Sequence, residues 1–377
     1  MKRLILITVF LSLLSGCESK KDVNKDEGIS LSKAMGETSD SSFSKAFEKR
    51  RFTFPDDHGA HPDFRTEWWY FTGNLTSEDG EKFGYQFTVF RTALTGIPKE
   101  RTSAWSSDQI YMSHFTVTDI SGDKFYFDER FSRNGNGLAG AQINPFKVWL
   151  EDWQIVQSGN DVKFDLPVIE IKVKTDNAEI DFLLESAKPI VLQGDSGLSR
   201  KGSQPGNASY YYSYTKLKTD GKIRINGKEF VVSGFSWMDR EWSTSALSED
   251  QKGWDWFALQ LDDSTEIMYY QLRKQDGNAD KFSKGILVLS NGDTRPLSNE
   301  EVALNVTDFW ESPGRTKYPS GWRLKIPSEN IDLVVKPVVR DQLLDVSIKY
   351  WEGSVEINGT AGAKQVSGRG YVELTGY

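Results

Sequence analysis

Asp239 stands two residues after Trp237 and two before Glu241, where a β-rich run from Val231 to Trp237 ends. Strand alternation puts positions 237 and 239 on one face. A carboxylic acid in an apolar barrel mouth resists ionisation, so it can hold a proton at neutral pH and give it to a substrate. The plainer reading is an Asp paired with Arg240 or capping a turn, because ion pairs perturb carboxylates as readily as catalysis does. Glu67 precedes Trp68-Trp69. If both stretches share one cleft, Glu67, Asp239 and Glu241 form a carboxylate cluster suited to acid/base work; exposed strand-end charges are the alternative. Trp68, Trp69, Trp254 and Trp256 are either core or the lining of a cavity for a long apolar ligand.

Other chemistries find less footing. His58-x-x-His61, completed by His114 or Glu67, has metal-ligand character, but the close pair reads as ordinary loop imidazoles. Neither a metal nor an organic cofactor is expected. There is no Gly-x-Ser-x-Gly elbow and all three histidines lie early in the chain, so a serine hydrolase is not supported. Gly-rich phosphate loops are missing too. A net charge of -8 leaves no excess of Lys and Arg to neutralise phosphates, which argues against nucleic acid.

The elements that must position these residues are β almost throughout. Trp68, Phe71 and Leu75 recur 186 positions later as Trp254, Phe257 and Leu261, and Tyr85-Gln86 recurs as Tyr270-Gln271. An echo at half the chain length predicts two similar units rather than a solenoid. Runs such as Ile110 to Val117 and Val162 to Lys174 are β-rich, and turn pairs such as Asp79-Gly80, Asn226-Gly227 and Asn358-Gly359 mark antiparallel hairpins. With 377 residues, 13% of them aromatic, the chain can build two domains with substantial cores.

The N-terminus carries an address. Lys2-Arg3 and the apolar run Leu4 to Leu14 read as a signal peptide over residues 1–16. Leu14-Ser15-Gly16-Cys17 resembles a bacterial lipobox, which implies cleavage before Cys17 and lipidation there. Cys17 is the only cysteine, so the folded part has no disulfide and no thiolate metal site. The polar stretch to residue 51 reads as a tether with a reach of ~30 Å. The expected location is the cell envelope, most specifically the outer membrane facing the periplasm, since Glu18 is not the Asp that the resemblance ties to inner-membrane retention.

Three further segments carry a family resemblance. They are His58 to Arg91, with Thr66-Glu67-Trp68-Trp69-Tyr70-Phe71-Thr72-Gly73-Asn74-Leu75 at its centre; Ser236-Trp237-Met238-Asp239-Arg240-Glu241-Trp242 with Gly253 to Phe257; and Gly368 to Leu374. The chain resembles secreted lipocalin-like bacterial proteins, often labelled predicted hydrolases, allied to carotenoid 1,2-hydratases and found beside ABC transporter components. The resemblance implies an all-β fold of two calycin-type (lipocalin-like) antiparallel β-barrel domains packed together. We place the first, carotenoid-hydratase-like, at residues 52–232 and the second at 233–377. It further implies that Asp239, in an aromatic-x-Asp motif with Trp237, is the proton donor to a double bond. The His-x-Trp pair that accompanies this motif in the hydratases falls, by spacing, on Tyr210 and Tyr212.

The expected catalytic set is therefore Asp239, Tyr210, Tyr212, Trp237 and Glu241. The expected ligand-binding set is Glu67, Trp68, Trp69, Trp254 and Trp256. Two functions fit. One is a lipid-anchored protein that binds or hands over a hydrophobic small molecule, a lipid or isoprenoid, with ABC transporter components as candidate partners. The other is a hydratase or isomerase acting on a polyene. A salt-bridged surface Asp239 favours the first; a buried, unpaired Asp239 touching a cavity favours the second. The anchor has its own test. Cys17→Ala is expected to leave the protein soluble or unprocessed, because the acyl chains supply the membrane affinity. Fractionation showing the variant as firmly membrane-bound as wild type would rule the anchor out.

Overall fold

A computed structural model describes residues 41–97, 102–245 and 247–377; the expected signal segment and Cys17 lie outside the described residues. Two antiparallel sheets make up the protein, each curled around its own core. The first has 13 strands. Thr66–Ser77 hairpins into Lys82–Ala93 on one side, and on the other it pairs with Lys228–Ser243, the last strand of the unit. Ala208–Ile225 and Ala178–Ser186 follow beyond it. The second sheet has 10 strands and repeats this order. Gln251–Leu261 hairpins into Glu266–Lys274 and pairs on its far side with Lys364–Leu374, the final strand, which in turn pairs with Tyr350–Ala361.

The echo thus marks equivalent strands. In both units the first strand sends alternate residues inward: Phe71 and Leu75 join one barrel core, Phe257 and Leu261 the other. The opposite faces carry Trp68, Tyr70, Trp254 and Trp256 into apolar clusters between the sheets. Both faces of these strands are covered, which is why they read as near-continuous aromatic runs. The second half of the echo is different. Tyr85 lies opposite Gly73, three residues beyond Tyr70, whereas Tyr270 lies opposite Trp256, the counterpart of Tyr70. A slip by an odd number reverses the face. Tyr85 therefore enters the first core and Tyr270 the inter-sheet cluster.

Two expected boundaries move. The sheets part between Ser243 and Gln251, so a division at 232/233 would cut the strand Lys228–Ser243. The polar tether was expected to run to residue 51, yet Phe43 and Ala46 are buried. There Ser44 N–H donates to the Asp63 carbonyl at 2.8 Å, and Tyr210 Oη donates to the Glu48 carbonyl at 2.8 Å. Two buried apolar side chains, these hydrogen bonds and the Arg50–Asp57 ion pair seat the end of the polar stretch on the barrel.

The sheets dock through polar as well as aromatic contacts. Asn74 Nδ2 donates to the Gly370 carbonyl at 3.1 Å, and Thr118 Oγ1 donates to Gln342 Oε1 at 2.8 Å. A Cβ on Gly84 would sit 2.6 Å from Ser354 Cβ, so glycine here permits the close approach.

Inside the first barrel mouth, Glu67 lies between Arg91 and Arg240, all three fully buried. Arg240 also covers the Trp69 ring at 4.0 Å, and His61 stacks on Trp242 at 3.7 Å. Burial alone would push the Glu67 carboxyl up, but the two guanidiniums overturn that and hold it well below the usual range. Because the shift is downward, its contribution is complete above about 4.5 and is lost as acid protonates the folded carboxyl. Glu67→Gln strands two buried cations and is expected to cost about 3–5 kcal/mol in denaturant unfolding at pH 7, with most of the difference gone in acid. A loss under 1 kcal/mol would count against the network.

Candidate functional site

The strand Lys228–Ser243 divides its side chains between two environments. Met238 and Trp242 join the first core and Arg240 reaches Glu67, while Trp237, Asp239 and Glu241 face the second sheet. Its neighbours place Tyr70 directly opposite Asp239 on one side and Ser213 on the other, with Tyr211 opposite Glu241. The second sheet brings Trp254, Trp256, Tyr270 and Glu373 against them. Between the sheets lies a cleft of about 100 Å³, open to solvent, lined by Trp68, Tyr70, Tyr211, Asp239, Trp254 and Glu373 among others.

Asp239 is 4% exposed and pairs with no cation among the described residues. It accepts three hydrogen bonds instead. Trp237 Nε1 donates to Oδ1 at 2.7 Å, Ser213 Oγ donates to the same oxygen, and Tyr211 Oη donates to Oδ2 at 2.5 Å. The hydroxyls are themselves oriented: Gln193 Nε2 donates to Ser213 at 2.8 Å and Trp256 Nε1 to Tyr211 at 3.2 Å. Burial pushes the Asp239 carboxyl up to about 7 against the pull of its donors, and the Glu241 charge adds to the rise. Glu241 is a different group. It accepts from Ser209 and pairs with Lys201 at 3.2 Å, whose ammonium lies 4.1 Å over the Tyr270 ring. One acid is charge-compensated and its neighbour is not.

Across the cleft Glu373 accepts from Trp254 Nε1 at 2.5 Å. Burial pushes its carboxyl up to about 7 as well. Behind it Glu352, fully buried, accepts from Tyr70 Oη at 2.8 Å. Burial, and then the neighbouring Glu373, hold Glu352 well above the ordinary carboxylate range.

From the expected sets, Asp239, Glu241, Trp68, Trp254 and Trp256 line the cleft, Trp237 lies behind it as a donor to Asp239, and four residues are left out. Tyr210 and Tyr212 point into the first barrel, where Tyr212 Oη meets His58 Nδ1 at 2.7 Å. Alternation turns Tyr211 to the cleft and Ser213 to Asp239 in their place. Glu67 and Trp69 also face the barrel interior, by the same rule. The histidines do not converge: His61 contacts Asp57 and Glu67, whereas His114 meets Tyr350 Oη at 2.8 Å. Tyr70, Tyr211, Ser213, Lys201, Glu352 and Glu373 were missed. Their one signal was a lone acid inside an apolar run, as in Tyr350-Trp351-Glu352 and Tyr371-Val372-Glu373.

Residues 45–377 match the AttH-like family profile. The chain belongs to that family. Among solved structures, an AttH-like protein from Nitrosomonas europaea superimposes with a TM-score of 0.78 at 33% identity, covering 89% of this chain and all of that one. Kievitone hydratase from Nectria haematococca shares the fold, with a TM-score of 0.66 at 17% identity over 91% of this chain and 98% of that one. In sequence, kievitone hydratase of Fusarium solani subsp. phaseoli is 22% identical over 207 residues, 53% of this chain and 57% of that protein. The match thus spans little more than half of that relative's length.

The geometry around Asp239 predicts its titration. With ¹³C-labelled aspartate, one carboxyl resonance is expected to titrate near 7 and to vanish in Asp239→Asn. Tyr211→Phe removes a donor to the charged form and should raise that midpoint by roughly one unit. A fall on this substitution would show that the hydroxyl does not stabilise the carboxylate.

Proposed function

We propose that the AttH-like protein is a hydratase-like enzyme that adds water across a carbon–carbon double bond of a hydrophobic substrate, an isoprenoid or an acyclic polyene. The observation that carries this is Asp239: a buried carboxyl with no counter-ion, open to an aromatic cleft and titrating near neutrality. Such a group keeps an acid proton where a proton is needed, at the edge of an apolar ligand. The hydratase among the relatives supports the same reading.

Asp239 gives its proton to one alkene carbon, and the positive charge forms on the more substituted carbon. The faces of Trp68, Trp254 and Trp256 steady that cation. Tyr211, Ser213 and Trp237 already aim donors at Asp239 and take up the charge it is left with, without reorganising. Water then captures the cation. If Cys17 is lipidated, the tether would hold this cleft beside a membrane in which such substrates dissolve.

The test is incubation with a panel of acyclic carotenoids and smaller isoprenoid alkenes, read as the gain of one water by mass. The rate should fall as pH rises through about 7, because the acid form of Asp239 is lost. Asp239→Asn should lower turnover by about 10²-fold or more while ligand binding persists. Undiminished product from the Asn variant would remove Asp239 from the mechanism. A wild type inactive on every alkene, yet binding them, would return the protein to the carrier reading.

A further inference from the structure

We infer that Glu373, supported by Glu352, is the second proton-handling residue of the cleft: the base that takes the proton from the water attacking the cation. This rests on the hydration reading above and adds the half of the reaction that Asp239 leaves open.

The two units place acids at matching points. Asp239 lies opposite Tyr70, and Glu373 lies opposite Trp256, the counterpart of Tyr70 in the repeat. Each sheet therefore brings to the cleft, on the equivalent closing strand, a carboxyl that is not paired with a cation among the described residues: Asp239 beside the Lys201-paired Glu241, and Glu373.

The neighbourhood of Glu373 fixes which form it takes. Glu352 sits beside it in register on the adjoining strand. Tyr70 donates to Glu352 Oε1, while Oε2 is buried without any donor. A charged carboxylate with a bare buried oxygen next to a second acid would be costly on both counts. A neutral Glu352 removes both costs, with its proton on Oε2 and given to Glu373. Glu373 then accepts from two donors, this carboxyl and the Trp254 indole. Those donors make its ionised form tolerable in an apolar setting. The charges of Asp239 and Glu241 add to the cost of ionising Glu373, and the proposed reaction starts with the proton on Asp239 and Glu373 ionised.

The steps balance. The alkene π bond takes the Asp239 proton, leaving a cation and the Asp239 carboxylate. A water oxygen forms the new C–O bond, and its surplus proton passes to the Glu373 carboxylate. The product has gained one water. The enzyme is left with protonated Glu373 and ionised Asp239, and one proton moving from Glu373 to Asp239 through cleft water restores the start.

The experiment uses the whole folded protein with an isoprenoid alkene that the wild type hydrates. Glu373→Gln should lower hydration by about 10²-fold or more. Added azide captures the cation without needing a base, so this variant should form the alkyl azide at a rate well above its residual hydration. Asp239→Asn, unable to make the cation, should form neither product. Glu352→Gln keeps a donor towards Glu373 and should retain activity within about tenfold, whereas Glu352→Leu should not. Thermal unfolding of each variant checks the fold, and Glu373→Asp, which keeps a carboxyl, should keep partial activity. Hydration by Glu373→Gln at the wild-type rate, or a loss that azide does not relieve, would overturn the assignment while leaving Asp239 in place. A wild type that adds water to no alkene would instead remove the hydration reading itself, and this assignment with it.

Discussion

Every feature of this protein depends on one constraint: the strands where the two sheets meet are covered on both faces. A strand that is half solvated can put its charges in water; these strands cannot. Each polar side chain on them must find a partner in one of two interiors. Glu67 finds Arg91 and Arg240 on the barrel side. Asp239 is offered hydroxyls and an indole instead, and no cation. The first arrangement settles a charge, and the second leaves a proton in play. Because side chains alternate along a strand, both arrangements occur one residue apart, at Asp239 and Arg240.

Much of the fold was legible in the sequence. The repeat of Trp68, Phe71 and Leu75 marks equivalent strands, and pairs such as Asn226-Gly227 do take the positive φ of a hairpin turn. Trp237, Asp239, Glu241, Trp68, Trp254 and Trp256, named from composition, alternation and resemblance, lie at the cleft or directly behind it. The expected residues that face elsewhere share a cause. Spacing was carried from the resemblance to Tyr210 and Tyr212 without knowing which face of Ala208–Ile225 meets the cleft, and the neighbours Tyr211 and Ser213 were passed over. Glu352 and Glu373 stayed hidden because an acid within an apolar strand ordinarily faces solvent. Only the second sheet, packed over that face, reverses the expectation.

The site also works against the stability of the fold. Asp239 and Glu373 keep protons that an unfolded chain would release between about 4 and 7, so their contribution to stability falls as pH rises through that window. Glu67 acts in the opposite direction, losing its contribution in acid. Two sets of buried carboxyls on one pair of sheets thus favour the folded state at opposite ends of the pH scale. Keeping acids unpaired in a cleft is a cost the large aromatic cores offset.

The alternation of charge along Lys228–Ser243 has a consequence for how the chain finds its register. Strands with two apolar faces carry little information about which way round they should sit, since either face can be buried. Here a slip by one residue would drive Asp239 and Glu241 into the first barrel core, turn Arg240 out into the cleft and leave Glu67 beside Arg91 alone. Two carboxyls would then lie in the first core without their donors, and Glu67 would keep only one of its two guanidiniums. The same acids and cations that set the two interiors apart therefore also disfavour the misaligned register.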